Sequence, residues 1–379
     1  MVIEIRRANF LNKGAELMLR ATVQQIRARL PNAEIVMIPD SPNSYCWRGE
    51  LCVKQKAWLH KHRIRWSEML RVVPKIVRRK YGVFTDSEVD VVLDAAGFAY
   101  GDQWPLTNLS EAAASSARWK HRGTKLILLP QAFGPFSDSQ RRRLIKRLAV
   151  NAALVFAREE ESYRHLTKAA GEYPHIRTAP DFTNLIEGEV PSHFDRESNR
   201  FCVVPNYRMI DKTDSETSNR YIELVAFIVR HLQTRKAKPF LLVHEGPDDV
   251  WLAEQINGRL QNPASVVTET DALSIKGIIG QCDGVVSSRF HGLVSALSQG
   301  VPALGTTWSH KYQMLFQDYG LPEGVITNTL TFEEIRSRID MLIDQIPREE
   351  LRNRIVQFAD KHVVASRRMW DDVFAIVED

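Results

Sequence analysis

The sequence is poor in the features that mark secreted, metal-bound or membrane-spanning proteins. It holds four cysteines in 379 residues. These are Cys46, Cys52, Cys202 and Cys282, with no Cys-x-x-Cys pair, so reduced and mostly buried thiols are expected rather than a disulfide frame. Cys46 and Cys52 stand near His60 and His62, but the spacing is not that of a structural zinc site, and no metal is expected. No apolar run approaches the ~20 residues that a membrane span needs. The segment Met1-Val2-Ile3-Glu4-Ile5-Arg6-Arg7 lacks the apolar core of a signal peptide and reads as a first strand, which predicts a cytoplasmic protein. Low-complexity tracts and short repeats are also missing. Acids are nearly absent from one stretch: residues 54–80 carry ten basic side chains against one acid, Glu68.

Hydrophobic residues make up 44% of the chain and charged ones 26%, the balance of an ordinary globular protein. The length exceeds one comfortable core and predicts two domains. Apolar runs alternate with helical periodicity throughout, the mark of βαβ units and parallel sheets. Strands are expected near 2–5, 34–38, 90–94, 125–130 and 153–157, with helices near 14–29, 55–80, 109–120, 138–150 and 159–169, the second of them broken or kinked at Pro74. The polar stretch Glu187 to Arg200 reads as a linker. After it the pattern restarts, with strands 201–205, 239–243, 265–267, 283–287 and 302–305 and helices 217–233, 248–260, 272–280 and 291–299. A helical tail follows Phe332. The expected organisation is an α/β domain over 1–190 with a basic helical insertion at 54–80, a second over 200–350, and a C-terminal helix over 351–379. Both are doubly wound, Rossmann-like domains facing a central cleft.

The most informative segment is Val285-Val286-Ser287-Ser288-Arg289-Phe290-His291-Gly292, which runs on to Gly300-Val301-Pro302. An apolar strand breaks at two serines and resumes as a helix that Gly300 closes. Arg289 and His291 therefore fall in a strand-to-helix turn, where open α/β sheets bind ligands and the helix dipole favours anions. A fixed cation beside an imidazole suits an acidic substrate that also needs a proton moved. The plainer alternative is a surface ion pair for Arg289 and a helix-capping role for His291. Replacing Arg289 with alanine is expected to remove ligand binding at little cost in stability.

Six segments in order carry a resemblance. They are Asn12-Lys13-Gly14-Ala15-Glu16; Asp94-Ala95-Ala96-Gly97-Phe98-Ala99-Tyr100-Gly101-Asp102; Gln131-Ala132-Phe133-Gly134-Pro135; Ala157-Arg158-Glu159 with Ser162; Ala179-Pro180-Asp181; and Ser287-Ser288-Arg289-Phe290-His291 with Ala296, Gly300-Val301-Pro302 and Lys311 after Trp308-Ser309-His310. Together they resemble the polysaccharide pyruvyltransferase family. The resemblance implies the two-Rossmann, GT-B-like architecture and phosphoenolpyruvate as donor. It further implies a sugar acceptor, polymer or lipid-linked oligosaccharide, that receives pyruvate as a cyclic ketal during exopolysaccharide, capsule or cell-surface glycan synthesis. One departure is Ala15, where the family carries an aspartate.

That reaction needs an anion cradle, a general acid and a general base, and no cofactor. Arg289, Ser288, the backbone at Phe290 and the helix from Gly292 are the expected cradle, with Arg158 as a second cation or an ion-pair partner of its neighbouring glutamates. His291 is the candidate proton donor. Asp102 is a candidate base or hydroxyl acceptor, or else a plain turn aspartate. Asn12, Gly14, Glu16, Gln131 and His244 are placed on the acceptor side. His244 is a second acid/base candidate at a strand end, and Lys276 reads as a surface lysine.

A nucleotide-sugar glycosyltransferase is the main alternative. Such enzymes often grip ribose with acids in the helix corresponding to 291–299, and that helix has none. A nucleic-acid binder is excluded for want of any recognition motif. Basic and apolar residues interleave over 54–80, including Trp58, Trp66 and Leu70. This predicts a helix lying on an anionic membrane surface, or else a solvated face packed on the domain, with the protein peripheral on the inner leaflet.

Overall fold

The computed structural model describes residues 1–39, 44–58, 60–61, 64–211, 215–306, 310–327 and 329–379, with side chains at 60–61, 64–68, 215–217 and 310 left aside. The chain divides into two compact units, Met1–Phe182 with Ala365–Asp379, and Thr183–Val364.

The first unit is built on an eight-stranded parallel sheet. Its strands are β1 (Val2–Arg6), β2 (Glu34–Met37), β3 (Lys54–Lys56), β6 (Val83–Phe84), β7 (Val91–Asp94), β8 (Lys125–Gln131), β9 (Leu154–Ala157) and β10 (Ile176–Thr178). A small antiparallel pair, β4 (His60–Lys61) and β5 (Ile64–Arg65), stands apart from it. The spatial order is β10-β9-β8-β7-β1-β2-β3-β6. Helices α1 (Lys13–Arg29), α2 (Tyr45–Glu50), α3 (Lys75–Lys80), α4 (Leu106–Arg122), α5 (Ser139–Asn151) and α6 (Glu160–Ala170) are its crossovers. The inner strands β7, β8 and β9 are short, mostly apolar runs buried on both faces, as parallel sheets require. The helices start where capping residues place them: Asn12 accepts from the Ala15 N–H at 3.0 Å and Asp138 from the Arg141 N–H at 2.7 Å.

The second unit carries a six-stranded parallel sheet, ordered β13-β12-β11-β14-β15-β16. These strands are β11 (Phe201–Val204), β12 (Pro239–Val243), β13 (Ser265–Thr268), β14 (Gly284–Ser287), β15 (Ala303–Thr306) and β16 (Val325–Ile326). The helices are α7 (Arg208–Asp211), α8 (Ser215–Thr234), α9 (Gly246–Asn257), α10 (Ala272–Gly280), α11 (Phe290–Leu297), α12 (His310–Asp318) and α13 (Phe332–Ile343). The last helix, α14 (Gln345–Glu378), begins in the second unit and ends in the first.

Three expectations are corrected. Residues 54–80 are not one helix. Lys54–Lys56 is a strand whose backbone pairs with Val36 and Met37 on one side and Val83 and Phe84 on the other. A 3-10 segment, Trp66–Val72, and the short α3 follow it, parted at Pro74, where the sequence predicts a break. Leu59, His62 and Arg63 lie outside the described residues, as do Trp308 and Ser309. Lys276 is not on the surface: it is buried, and its Nζ donates to the Thr183 carbonyl at 2.7 Å. Cys202 and Cys282 are buried as expected, but Cys46 and Cys52 are exposed. No helix among the described residues is long and apolar enough to cross a membrane.

Candidate functional site

In the second unit, β11 comes first in the chain. The following strands add on one side as β12 and β13, then on the other as β14, β15 and β16. The switch point lies between β11 and β14, and the loops leaving these two strands form the crevice where open sheets hold ligands. Those loops are Pro205-Asn206-Tyr207 and Ser288-Arg289. The topology thus puts the Arg289 turn where a ligand is expected.

The turn is tightly held. The Asn206 side-chain amide donates to the Ser288 carbonyl at 3.1 Å, and the Tyr312 hydroxyl donates to the same oxygen at 2.9 Å. The Tyr221 hydroxyl lies 2.6 Å from Ser288 Oγ, which also bonds Thr306 Oγ1. Burial pushes the Tyr221 hydroxyl up to about 12, so it remains a proton donor. Arg289 is the N-cap of α11 with no side-chain cap bond, and Leu293 N–H bonds back to its carbonyl at 3.1 Å. Helix geometry leaves first-turn N–H groups without intrahelical acceptors, so this end attracts anions. Gly292 fits because a Cβ there would stand 2.7 Å from Ser287 Oγ, the atom that accepts from the Arg289 N–H.

The Arg289 side chain is buried and paired. Its Nη2 donates to both Asp249 carboxylate oxygens, at 2.7 and 2.5 Å, and its Nη1 donates to Glu245. Its Nε has no hydrogen-bond partner among the described residues. Burial alone would lower the Arg289 pKa, but Asp249 and Glu245 raise it above its ordinary value. Burial likewise pushes the Asp249 carboxyl upward despite Arg289. Asp249 also accepts the Tyr207 N–H at 3.0 Å, so it ties together the loop after β11, α9 and the Arg289 turn. His291 is half-buried on the first turn of α11, its ring edge-on to Phe290 at 5.5 Å. His244 is buried directly after β12. Lys311 Nζ sits 5.3 Å from the ring centres of Phe290 and of Tyr312, a second cation at the same turn.

In the first unit the switch point lies between β1 and β7, since β2, β3 and β6 extend one way and β8, β9 and β10 the other. The family-like segments converge on this end of the sheet. Gly97 carbonyl accepts the Ala132 N–H at 2.8 Å, and Tyr100 carbonyl accepts the Gly134 N–H at 3.0 Å. The Phe133 N–H donates to Ser162 Oγ at 2.7 Å, and the Arg158 N–H to the Gln131 carbonyl at 3.0 Å. Arg158 is buried, 3.2 Å from Asp181 and 3.7 Å from Glu159. The Gln131 side chain is fully buried, and neither its amide nitrogen nor its oxygen has a partner among the described residues. A buried amide costs free energy unless something bonds it, which marks this position for a ligand or water.

The other first-unit candidates are engaged. Asp102 accepts from the Ser137 N–H at 3.1 Å and lies 3.2 Å from Arg141 Nε. Asn12 caps α1. Gly14 is buried in the first turn of that helix, and Glu16 bonds Lys13 at 2.9 Å and Arg20 at 2.8 Å.

Asn206, Tyr221 and the role of Asp249 are not among the residues expected from sequence. The helix α11 holds no acid, and the carboxylates beside Arg289 come from the start of α9. The signal was present in Glu245 and Asp248-Asp249 closing in behind His244, but their target lay some 40 residues on, beyond any local pattern. A buried charge cluster under β1 was missed as well. Lys56 Nζ lies 2.5 Å from Glu4 and 3.1 Å from Asp86, and Arg6 lies 2.8 Å from Glu111. Charged Glu4 and Arg6, two apart in an apolar strand, share a face and were the available hint.

A family model described as polysaccharide pyruvyl transferase matches residues 12–310. Among solved structures, the chain is similar to the Anabaena protein HepE in complex with UDP and glucose, at 13% identity and TM-score 0.60 with 99% of each chain covered. It is similar to S. aureus MnaA with UDP at 13% identity and TM-score 0.62, covering 100% of this chain and 96% of that one. It is also similar to UDP-GlcNAc 2-epimerase from Neisseria meningitidis bound to UDP-GlcNAc, at 11% identity and TM-score 0.57 with 99% of each covered. At these identities the likeness shows the fold alone: two Rossmann-like, parallel-sheet α/β domains of GT-B-like kind.

Proposed function

The chain belongs to the polysaccharide pyruvyl transferase family, and we propose that it transfers the pyruvyl group of phosphoenolpyruvate to two hydroxyls of a sugar in a cell-surface or exopolysaccharide glycan. The observation that supports this reading best is the Arg289–His291 turn at the second unit's switch point. There a buried guanidinium, a helix N-terminus and an imidazole share one turn, and Lys311 approaches it from α12.

Each part has a task in the reaction. The donor's carboxylate and phosphate are bound by Arg289, through its Nε and the first turn of α11 at Phe290 and Gly292, and by Lys311. Ser288, held by Asn206, Tyr221 and Tyr312, sets the backbone of that turn. His291 delivers a proton to the donor's C3 methylene, which leaves C2 electron-poor and oxocarbenium-like. One sugar hydroxyl then bonds to C2 and gives up its proton to Asp102. Phosphate departs with the C2–O bond electrons, and a second hydroxyl bonds to C2 and closes the ketal, its proton returning to His291. His244, buried at the end of β12, is the alternative acid. On the acceptor side we assign Asp102 as the base, Gln131 as a hydrogen-bonding group for sugar hydroxyls, and Asn12, Gly14 and Glu16 to the loop that shapes the acceptor site. Arg158 is placed as a second donor cation, with Asp181 orienting it. No metal or organic cofactor has a step in this scheme.

The test is phosphate release from phosphoenolpyruvate against a panel of lipid-linked and synthetic oligosaccharides, with nucleotide sugars as the control. Acceptor-dependent phosphate release is the expected result. Nucleoside diphosphate release from a nucleotide sugar, with no phosphate from phosphoenolpyruvate, overturns the reading in favour of a glycosyltransferase.

A further inference from the structure

The surface around α3 is an exposed mixture of apolar and cationic side chains. Val72 is 85% exposed, Ile76 84%, Tyr81 71% and Met69 59%. Such exposure is ordinary for a single scattered side chain. Here four large apolar groups fall within residues 69–81, on consecutive short helical segments. Arg71, Lys75 and Lys80 are interleaved among them, exposed and without an ion-pair partner among the described residues.

The segment's other two cations behave differently, and this shows that the arrangement has two sides. Arg78 is buried, donates to the Val73 carbonyl at 3.2 Å and pairs with Glu88. Arg79 lies 3.2 Å from the same carboxylate, its guanidinium 3.9 Å from the centre of the Phe84 ring. These two fasten α3 to the edge strand β6. Anchoring one face by Arg78 and Arg79 leaves Val72, Ile76, Lys75 and Lys80 on a surface held in place but uncovered.

We infer that this surface docks on an anionic lipid bilayer, with Met69, Val72, Ile76 and Tyr81 entering the headgroup boundary and Arg71, Lys75 and Lys80 contacting lipid phosphates. Charge complementarity decides the occupant. A bilayer presents a broad anionic layer directly above an apolar one, the same two chemistries that alternate here over a few ångströms. A protein partner would need a matching acidic and apolar face of its own. The purpose served, bringing the enzyme to lipid-linked acceptors, rests on the transferase reading. The docking test contains neither donor nor acceptor, so either conclusion can fail without the other.

The experiment is co-sedimentation of the full chain with phosphatidylcholine vesicles made with or without phosphatidylglycerol. Binding is expected only with the anionic lipid. It should fall steeply as salt rises toward about 1 M, where the Debye length shrinks to about 3 Å. The triple variant Arg71→Glu, Lys75→Glu, Lys80→Glu should lose at least ~10-fold in vesicle partition, and Val72→Asp with Ile76→Asp should lose binding at any salt. Both variants should keep the wild-type melting temperature, because the altered side chains are exposed. No binding to anionic vesicles, equal binding to neutral ones, or unchanged binding by both variants overturns the inference. So does a dimer in solution that Val72→Asp with Ile76→Asp dissociates while vesicles stay unbound, since the surface would then belong to a second copy of the chain.

Discussion

At the scale of single residues, Arg289 and His291 sit on one turn but should fail in different ways when replaced. Taken from the sequence alone, Arg289→Ala looked harmless to stability. The structure reverses that expectation, because the change would leave Asp249, fully buried, and Glu245 without their cation. Removing one partner of a buried pair costs about 3–5 kcal/mol. Arg289→Ala should therefore lower the melting temperature of the ligand-free protein as well as abolish stabilisation by phosphoenolpyruvate. His291→Asn leaves the Arg289–Asp249 pair intact and should melt closer to the wild type than Arg289→Ala does. It should keep donor affinity and lose on the order of 10²-fold in turnover, the scale of a lost general acid. Differential scanning fluorimetry with and without phosphoenolpyruvate, together with steady-state phosphate release, separates the two. If His291→Asn keeps its turnover and only raises KM, the acid is elsewhere and His244 is next to be tested. The identity of the turn was legible from local chemistry, an apolar strand, two serines and a helix. Its electrostatics were not, because Asp249 reaches it from α9.

At the scale of elements, the segment between β3 and β7 shows how a local pattern can mislead. Apolar residues at helical spacing suggest an amphipathic helix from 55 to 80 broken at Pro74, yet β3 is held in extended form by backbone bonds to two neighbouring strands. Non-local pairing overrides a periodicity that Pro74 already interrupts. What replaces the long helix is a short α3 clamped by Glu88. Burial alone would push the Glu88 carboxyl up, but the Thr85 N–H and the Arg78 guanidinium bring it down to about 2 from 4.5. A carboxyl depressed in the folded state adds stability that is complete above its unfolded value and lost as pH falls through the folded one. Glu88→Gln should thus lower the urea midpoint at neutral pH, and the gap from wild type should shrink below about pH 4.5 and close near pH 2. A gap that stays constant across that range would show that Glu88 acts through packing and not through its charge.

At the scale of the whole molecule, the first unit is discontinuous in sequence and takes the last part of α14 into its core. Trp370 is wholly buried, with its ring edge-on to Phe182 at 5.5 Å and stacked on Phe374 at 5.7 Å. Asp371 and Asp372 pair with Arg29 and Arg177 at 2.5 and 2.6 Å. Trp370→Ala should cost about 3–5 kcal/mol, felt first in the first unit. Hydrogen exchange should show faster opening of β1, β7 and β8 while β11, β12 and β14 keep their protection; an equal loss in both sheets would mean the units unfold as one. The sequence by itself determined the alternation of strands and helices, the helix starts near Asn12 and Asp138, the break before Arg289 and the order of the family segments. All of these follow from propensity, capping and periodicity, which act over a few residues. Tertiary structure alone decided which charges meet. Lys56 finds Glu4 across 52 positions and Lys276 finds the Thr183 carbonyl across 93, while Arg289 finds its carboxylates on another helix. The physical reason is desolvation: a charge can leave water only where a partner is already waiting, and that partner is supplied by the fold, from parts of the chain that no local pattern connects.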